Sequence, residues 1–215
     1  MKKALLLIDL QNDFCPGGAL AVNEGDRVVE IANQAIAACA ASDVMVIASQ
    51  DWHPANHGSF AVNAGKVVGE QGELDGLPQI WWPVHCVQDQ AGAAFHPALN
   101  QRAIDWVVRK GVQVDIDSYS AFFDNGHRAK TDLDGWLRAH DVAHLTVMGI
   151  ATDYCVKFSV LDALELGYTT DVLVDGCRGV NIHPADDQTA LREIRQKGAT
   201  LIDLNTFISG LAPSD

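Results

Sequence analysis

The apolar run Ala4-Leu5-Leu6-Leu7-Ile8, closed by Asp9, decides the fold class of this chain. A signal peptide needs about 7 to 15 apolar residues and a membrane helix about 20, so this run is too short for either. A short continuous apolar run predicts a strand that is buried on both faces, as in a parallel sheet. Similar runs predict five more strands, over residues 44–48, 104–108, 144–150, 171–174 and 200–204.

Helical periodicity separates these strands. Apolar residues recur three and four positions apart over residues 27–40, 155–166 and 189–197. Strands joined by helices predict right-handed crossovers and a mostly parallel six-stranded sheet that is covered on both faces. The sequence therefore predicts a three-layer α/β fold in a single domain over residues 1–215. Residues 51–100 lack a long periodic helix and contain four prolines, which is typical of a lid or a pocket wall.

Composition excludes several classes of function. The 215 residues are 48% hydrophobic and 20% charged, as in an ordinary folded domain. The formal net charge of -13 disfavours binding to nucleic acid or to an anionic membrane surface. Five cysteines, an odd number without a Cys-x-x-Cys pair, favour reduced thiols over a disulfide framework. These features predict a cytoplasmic protein, and they are compatible with a homo-oligomer.

Chemically active residues follow the ends of four predicted strands. Asp9 follows the first strand, Asp51 and His53 follow the second, Lys110 follows the third, and Cys155 lies just beyond the fourth. Ligands of open parallel sheets bind outside the carboxyl ends of the strands. We therefore expect these side chains to converge at one edge of the sheet, although they are distant in sequence.

The first group predicts nucleophilic catalysis. Cys155 is expected to open a helix, where backbone N–H groups and the helix dipole favour the thiolate. Lys110 would lower the pKa of the thiol further, and Asp9 would accept its proton. Each residue also has an ordinary interpretation, as a buried cysteine, a capping aspartate or a lysine in a solvated turn. Their joint placement favours a nucleophile, an acid-base group and a cationic support.

The second group predicts a metal site. Asp51 and His53 lie two residues apart at a strand end, so their side chains point to the same side. With His85 they offer one carboxylate and two imidazoles, which suit a divalent transition metal and leave positions open. The alternative is that these are hydrogen-bonded histidines without a metal, since the chain has eight histidines. His57 stays open between a ligand, a neighbour of a ligand and neither.

Four strings carry a family resemblance: IDLQNDFC at residues 8–15, DWH at 51–53, WPVHC at 82–86 and GIATDYCV at 149–156. They resemble the nicotinamidase/pyrazinamidase family, within the isochorismatase-like cysteine hydrolases. The likeness extends from residue 9 to about residue 180, and the last two strings together are specific. The resemblance implies a catalytic triad of Asp9, Lys110 and Cys155, and a metal site formed by Asp51, His53 and His85.

The resemblance also implies a reaction. Nicotinamide, and pyrazinamide likewise, would be hydrolysed to the acid and ammonia through a thioester on Cys155, as a step of NAD salvage. Backbone N–H groups of Ala151 and Cys155 would form the oxyanion hole, and the peptide bond between Ile150 and Ala151 would be cis. A divalent metal ion, zinc ahead of iron or manganese, would bind the ring nitrogen rather than generate hydroxide. The residues expected around the substrate are Phe14, Trp82, Tyr119 and Ile150.

Three alternatives use the same residues. A sister cysteine amidase would act on a carbamoyl compound or a ureide, although such relatives generally lack the metal-binding histidines. A metallohydrolase would attack with metal-bound water and would not need Cys155. A metal-storing or partner-binding protein would have no activity. An ammonia assay with nicotinamide, together with a Cys155→Ala variant, separates the four hypotheses.

Overall fold

The computed structural model describes residues 2–211 of the 215-residue chain. The strands in this part of the chain are β1 (Lys2–Ile8), β2 (Met45–Asp51), β3 (Gln71–Leu74), β4 (Leu77–Ile80), β5 (Trp106–Lys110), β6 (Val142–Ile150), β7 (Thr169–Arg178) and β8 (Thr200–Ile202). The α-helices are α1 (Gly25–Ala40), α2 (Ala61–Ala64), α3 (Leu133–Ala139), α4 (Lys157–Glu165), α5 (Asp186–Gln196) and α6 (Leu204–Ser209). A π-helical turn over Thr152–Val156 leads into α4.

Six of the strands form one parallel sheet. Their order is β5-β2-β1-β6-β7-β8, and each neighbouring pair is parallel. Strand β1 lies inside the sheet between β2 and β6, and its residues from Ala4 to Ile8 are all buried. This burial on both faces explains why the first apolar run has no alternation. The predicted six-stranded parallel sheet is confirmed.

Helices cover both faces of the sheet. The chain leaves β1 in one direction, through α1 to β2, and leaves β6 in the opposite direction, through α4 to β7. Right-handed crossovers that run in opposite directions place their helices on opposite faces. Helix α6 packs beside α1, and α5 packs beside α4. The direction reverses between β1 and β6, which is where a ligand crevice forms in sheets of this kind.

Several element boundaries differ from the predictions. Strands β2 and β5 extend to Asp51 and Lys110, so these residues end their strands rather than follow them. The strand predicted over residues 200–204 stops at Ile202, because the Asp203 side chain caps α6 and accepts a 2.7 Å hydrogen bond from the backbone N–H of Thr206. Helices α3 and α6 were not predicted, because seven and six residues are too few to establish a period.

Residues 51–100 form the irregular wall that was predicted, and they also contain the antiparallel hairpin of β3 and β4. The wall is held to the sheet by backbone hydrogen bonds, such as the 2.9 Å bond from the N–H of His53 to the carbonyl of Cys86. Gln79 of β4 joins the hairpin to Asp117 through a 3.0 Å bond. The histidines of this segment are thereby placed beside the edge of the sheet.

The five cysteines are buried free thiols, as the odd count predicted. Buried apolar residues from both faces of the sheet form one hydrophobic core. A helix with the length and apolar character required to cross a membrane is not found within residues 2–211.

Candidate active site

The carboxyl ends of β1, β6, β2 and β5 meet at one edge of the sheet. Ile8 is paired with Gly149, and Asp51 is paired with Lys110. Gly149 has φ of 132°, and a Cβ at this position would lie 2.7 Å from the backbone nitrogen of Ile8. Only glycine therefore lets β6 approach β1 this closely. Asp9, which directly follows β1, consequently lies beside the turn that follows β6.

Lys110 is buried at the centre of this edge. Its Nζ lies 2.9 Å from Oδ2 of Asp9 and 2.9 Å from Oδ1 of Asp51. It also donates to the carbonyl oxygen of Ser118 at 3.0 Å, and Sγ of Cys155 is 3.3 Å away. Burial alone would lower the pKa of Lys110, but Asp51 and Asp9 raise it well above its ordinary value. Lys110 is therefore a permanent buried cation.

The two carboxylate oxygens of Asp9 have different hydrogen-bond partners. The hydroxyl of Ser49 donates a 2.6 Å hydrogen bond to Oδ1 of Asp9. Oδ2 faces the ammonium of Lys110 but accepts no well-formed hydrogen bond from residues 2–211. Burial raises the pKa of Asp9, Lys110 opposes that shift, and the charge of Asp51 adds to it. A buried carboxyl group with a raised pKa and a free oxygen is suited to accept and return a proton.

Cys155 does not lie in the first turn of α4, but in the π-helical turn before it. Burial raises the pKa of the Cys155 thiol well above its ordinary value; Lys110 opposes this, while Asp9 and Asp51 reinforce it. Lys110 lowers the pKa of the thiol as expected, but the net shift is upward, so the expectation of a resting thiolate is wrong. Burial of the sulfur, together with two nearby carboxylates, outweighs one ammonium group. The sulfur keeps its proton until a base removes it.

Hydrogen bonds to Asp153 hold the π-helical turn in place. The carboxylate of Asp153 accepts hydrogen bonds from the backbone N–H groups of Val180, at 2.9 Å, and Asn181, at 2.8 Å. The carbonyl of Ala151 accepts from the N–H of Val156 at 3.0 Å. These bonds fix the backbone on both sides of Cys155 and so determine where its sulfur lies.

The predicted metal ligands form a compact group. Nε2 of His53 and Nε2 of His85 lie 3.1 Å and 3.4 Å from Oδ2 of Asp51. Nδ1 of His53 is 2.8 Å from the carbonyl of Gly111, and Nδ1 of His85 is 2.7 Å from that of Pro83. Because a carbonyl only accepts, Nδ1 carries a proton in both rings, and Nε2 is the atom that each ring presents to Asp51. Two imidazole Nε2 atoms beside a carboxylate oxygen fit a divalent cation, which would replace any proton held there.

The electrostatics of this group favour positive charge. Burial alone would raise the pKa of Asp51, but His53 and Lys110 hold it well below its ordinary value. Burial would lower the pKa of His53, yet Asp51 raises it to about 9. Gly111 packs against His53, since a Cβ at this position would lie 2.5 Å from Cε1 of the ring. The backbone of Gly111, which directly follows β5, thus sets the orientation of His53 and the position of its Nδ1 proton.

His57 lies next to the metal group with both ring nitrogens engaged. Its ring centroid is 4.3 Å from that of His53. Nδ1 accepts from the backbone N–H of Ser59 at 3.2 Å, so Nε2 carries the proton and donates to the carbonyl of Ile116 at 3.2 Å. Burial, together with the charge of His53, lowers the pKa of His57 to about 4. The structure therefore places His57 as a neutral neighbour of the three ligands.

A cavity of about 30 Å³ lies between the two groups, and its wall includes Asp51, His85 and Cys155. Of the residues expected around the substrate, Phe14, Trp82 and Tyr119 line the cavity. Trp82 and Tyr119 are joined by a 3.3 Å hydrogen bond from the indole N–H to the phenol oxygen.

Ile150 differs from the other expected substrate contacts. It is fully buried at the end of β6, and Ala151 lines the cavity instead. The peptide bond between Ile150 and Ala151 is cis, as the resemblance implies. Sequence reasoning missed the rest of the wall, which is formed by Leu20, Asp117, Tyr154 and Val180. The place of Tyr154 in the wall could have been predicted, because it is adjacent to Cys155 in the sequence. The other three residues lie in segments without periodicity.

Comparisons with known proteins agree with this geometry. The isochorismatase domain family matches residues 3–206. A cysteine beside an aspartate and a lysine, at the carboxyl edge of a three-layer α/β sheet, defines the class as a hydrolase of the isochorismatase type. The chain belongs to the isochorismatase family, and the family resemblance predicted from its sequence is confirmed.

Within this family the most similar relatives carry one activity in their names. Nicotinamidase from Escherichia coli is 61% identical over 202 residues, covering 94% of this chain and 95% of that relative. A solved nicotinamidase and pyrazinamidase from Acinetobacter baumanii has a TM-score of 0.90 and 39% identity, covering 95% and 97% of the two chains. A pyrazinamidase from Pyrococcus horikoshii, solved in complex with zinc, has a TM-score of 0.78 and 34% identity, covering 94% and 99%.

The sister-amidase alternative is not favoured by these comparisons. A ureidoacrylate amidohydrolase from Klebsiella pneumoniae is 27% identical over 231 residues, covering 99% of this chain and 88% of that relative. The relatives named for nicotinamide are thus considerably more similar than the relative named for a ureide.

Proposed function

We propose that this chain is a nicotinamidase that hydrolyses nicotinamide to nicotinate and ammonia, and pyrazinamide to its acid. One observation carries the proposal. Lys110 contacts Asp9, the Cys155 sulfur and Asp51 of the metal group, and the nucleophile Cys155 lines one small cavity together with Asp51 and His85. The names of the most similar relatives support the same substrate.

The first half of the reaction forms a thioester. The Cys155 sulfur attacks the carboxamide carbon while its proton moves to Oδ2 of Asp9, and the carbonyl π electrons move onto oxygen. The tetrahedral intermediate collapses when Asp9 returns the proton to the amide nitrogen, and the carbon–nitrogen bond breaks. Ammonia leaves and a nicotinoyl thioester remains on Cys155. Because the resting sulfur is protonated, base and nucleophile act in the same step.

The second half regenerates the thiol. Asp9 removes a proton from water as the oxygen attacks the thioester carbon. Collapse of the second intermediate breaks the carbon–sulfur bond, and the proton on Asp9 passes to the departing Cys155 sulfur. The product forms as nicotinic acid and is released as nicotinate after its carboxyl proton passes to solvent, and both residues return to their starting protonation states.

Two backbone donors and one cation stabilise the charges that develop. The N–H groups of Ala151 and Cys155 donate to the oxyanion, and removal of one such donor costs about 3 kcal/mol of transition-state stabilisation in comparable sites. Lys110 keeps its charge throughout and stabilises the sulfur as it loses its proton. It also keeps Asp9 from becoming too basic to release the proton to the leaving amine.

Asp51, His53 and His85 would hold a divalent metal ion, for which we propose zinc, with iron and manganese suited to the same ligands. The zinc in the Pyrococcus horikoshii pyrazinamidase supports this choice. When bound, the ion supplies an electron-pair acceptor for the ring nitrogen of the substrate. Phe14, Trp82 and Tyr119 then enclose the ring and exclude water from the thioester.

The proposed reaction converts an amide into the acid that is used to build NAD, so we place it in NAD salvage. Nicotinamide is the proposed small-molecule partner, and a homo-oligomer remains a proposal for its assembly. We also propose a cytoplasmic location, which the five free cysteines support because thiols stay reduced in that compartment.

An ammonia-release assay tests the proposed function. Purified protein is given nicotinamide, pyrazinamide, a carbamoyl amine and a ureide in parallel. We expect turnover of the first two with kcat/KM of at least about 10⁴ M⁻¹s⁻¹, and much slower turnover of the others. Preference for the ureide would favour the sister amidase, and no ammonia from any amide would favour a binding protein.

A further inference from the structure

Asp117 is a buried acid that the reaction outlined above does not use. It lies in the segment between β5 and α3, is 3% exposed, and lines the same cavity as Asp51, His85 and Cys155. Acids in such positions are normally paired with a cation, because removal of a carboxylate from water is strongly unfavourable.

The partners of Asp117 are neutral. Oδ1 accepts from the backbone N–H of Ser118 at 2.8 Å, and Oδ2 accepts from Nε2 of Gln79 at 3.0 Å. Lys110 and the arginines do not compensate it, since none of the lysine or arginine ion pairs among residues 2–211 includes Asp117. The charge of Asp117 is therefore held in place by hydrogen bonds and is not balanced by a lysine or an arginine.

The carboxylate of Asp117 lies next to a residue of the metal group. Ligand atoms of Asp117, His53 and His57 lie within 4.8 Å of one another. His57 has both nitrogens engaged by Ser59 and Ile116, so it is not free to bind an ion without losing them. His53 belongs both to this group and to the metal group of Asp51, His53 and His85. The Asp117 carboxylate therefore lies close to the metal group at His53.

The charges of the metal group explain what Asp117 contributes. Asp51 is the one anion among the three ligands, and Oδ1 of Asp51 already lies 2.9 Å from the ammonium of Lys110. The two histidines are neutral when they bind through Nε2. A dication in this group would therefore meet an anion whose charge is partly compensated by Lys110, and a further negative charge nearby would strengthen its binding.

We propose that Asp117 is a positioning residue of the metal site, supplying the second negative charge that holds a divalent cation at Asp51, His53 and His85. This inference rests on the proposed metal site and adds a residue to it. Gln79 of β4 fixes the Asp117 carboxylate, so the hairpin contributes to metal affinity without reaching the ion. The competing explanation is that Asp117 only anchors the hairpin through Gln79.

Three variants separate the two explanations. Asp117→Asn removes the charge. The double variant Asp117→Asn with Gln79→Glu moves the carboxylate to the hairpin while a hydrogen bond between the two side chains is kept. Asp124→Asn is the matched control, because Asp124 is also buried but has a structural role only. Its carboxylate accepts hydrogen bonds from the backbone N–H groups of Gly126, Arg128 and Ala129.

Zn²⁺ affinity is measured by competition with a chelating dye, without any amide present, and thermal midpoints are measured with and without Zn²⁺. For Asp117→Asn we expect a loss of about 10- to 100-fold in Zn²⁺ affinity, as is typical when an outer partner of a metal site is removed. The metal-free variant should melt close to the metal-free wild type, because removal of a carboxylate from the interior offsets the weakening of the hydrogen bonds that it accepts. Zn²⁺ should then stabilise the variant less than the wild type.

The double variant should bind Zn²⁺ as weakly as Asp117→Asn, and Asp124→Asn should lower both thermal midpoints while Zn²⁺ affinity is unchanged. Wild-type affinity in Asp117→Asn, or its full recovery in the double variant, would overturn the inference in favour of a hairpin anchor. Absence of Zn²⁺ binding by the wild type would overturn it together with the metal site. Because none of these measurements uses an amide, they are independent of whether nicotinamide is the substrate.

Discussion

The ammonium of Lys110 lies 2.9 Å from Oδ1 of Asp51, and this contact joins the proposed nucleophilic group to the proposed metal group. The same nitrogen is 2.9 Å from Oδ2 of Asp9. One buried cation therefore balances a carboxylate from each group. A change at either group should be detectable at the other.

Replacement of Lys110 tests this connection. Lys110→Met leaves two buried carboxylates without their cation, and loss of one partner of a buried ion pair typically costs about 3 to 5 kcal/mol of unfolding free energy. We expect strong destabilisation, loss of turnover and a further rise in the pKa of Asp9. Chemical denaturation measures the first effect, and the exposed Lys66→Met variant is the control. Wild-type stability in Lys110→Met would contradict the buried ion pairs.

Replacement of Ser49 tests which group causes the loss of activity at low pH. Its hydrogen bond to Oδ1 favours ionised Asp9 and so lowers a pKa that burial has raised. The base must be ionised, so activity is lost as the pH falls through the pKa of Asp9. The midpoint should lie above the ordinary value of 3.8, and Ser49→Ala should move it to higher pH. The pH dependence of kcat/KM measures the shift, with Ser42→Ala as the control; a downward shift would refute the assignment of Asp9 as base.

Removal of the metal tests whether the ion binds the substrate ring while Cys155 and Asp9 perform the bond-breaking steps. If the ion binds the ring nitrogen, chelation or His85→Ala should raise KM for nicotinamide more than it lowers kcat. Alkylation of Cys155 by a small haloacetamide should continue, although at a changed rate, since Asp9 rather than the ion takes the proton of the sulfur. Steady-state kinetics on protein of verified metal content measure this. An unchanged KM in metal-free protein would show that the ion has no part in substrate binding.

Gly111 tests the orientation of His53. The backbone of Gly111 has φ of 68°, and a Cβ would collide with the His53 ring. Gly111→Ala should therefore displace His53 and weaken Zn²⁺ binding. Gly65 is the matched control, because it has φ of 63° with open space around its Cβ position, so Gly65→Ala brings the same backbone strain without the collision. Equal Zn²⁺ affinity in both variants would contradict this packing argument.

The sequence was informative where chemistry coincides with a strand end. Asp9 follows an unbroken apolar run, so both its burial and its place at the sheet edge could be predicted. Lys110 and Asp51 could be placed at the same edge, because each lies at the carboxyl end of a predicted parallel strand. Parallel pairing alone brings these side chains together, whatever the intervening loops do.

Other features depend on packing that periodicity does not encode. Ser49 lies within an apolar strand and is recognised as a partner of Asp9 only when the register of β1 against β2 is known. Asp117 lies in an aperiodic segment and approaches His53 only through the tertiary fold. The raised pKa of the Cys155 thiol reflects burial of the sulfur, which outweighs the nearby lysine, and sequence spacing contains no measure of that balance.

The most direct test of the account is to find the acyl group. Protein mixed with nicotinamide is quenched in acid during turnover and digested, and the peptides are analysed by mass spectrometry. We predict a nicotinoyl group on the peptide that contains Cys155, its absence from Cys155→Ala, and no turnover by that variant, while Cys39→Ala turns over like the wild type. Substantial ammonia release by metal-loaded Cys155→Ala, without any acylated peptide, would contradict the account and assign the reaction to a metal-activated water.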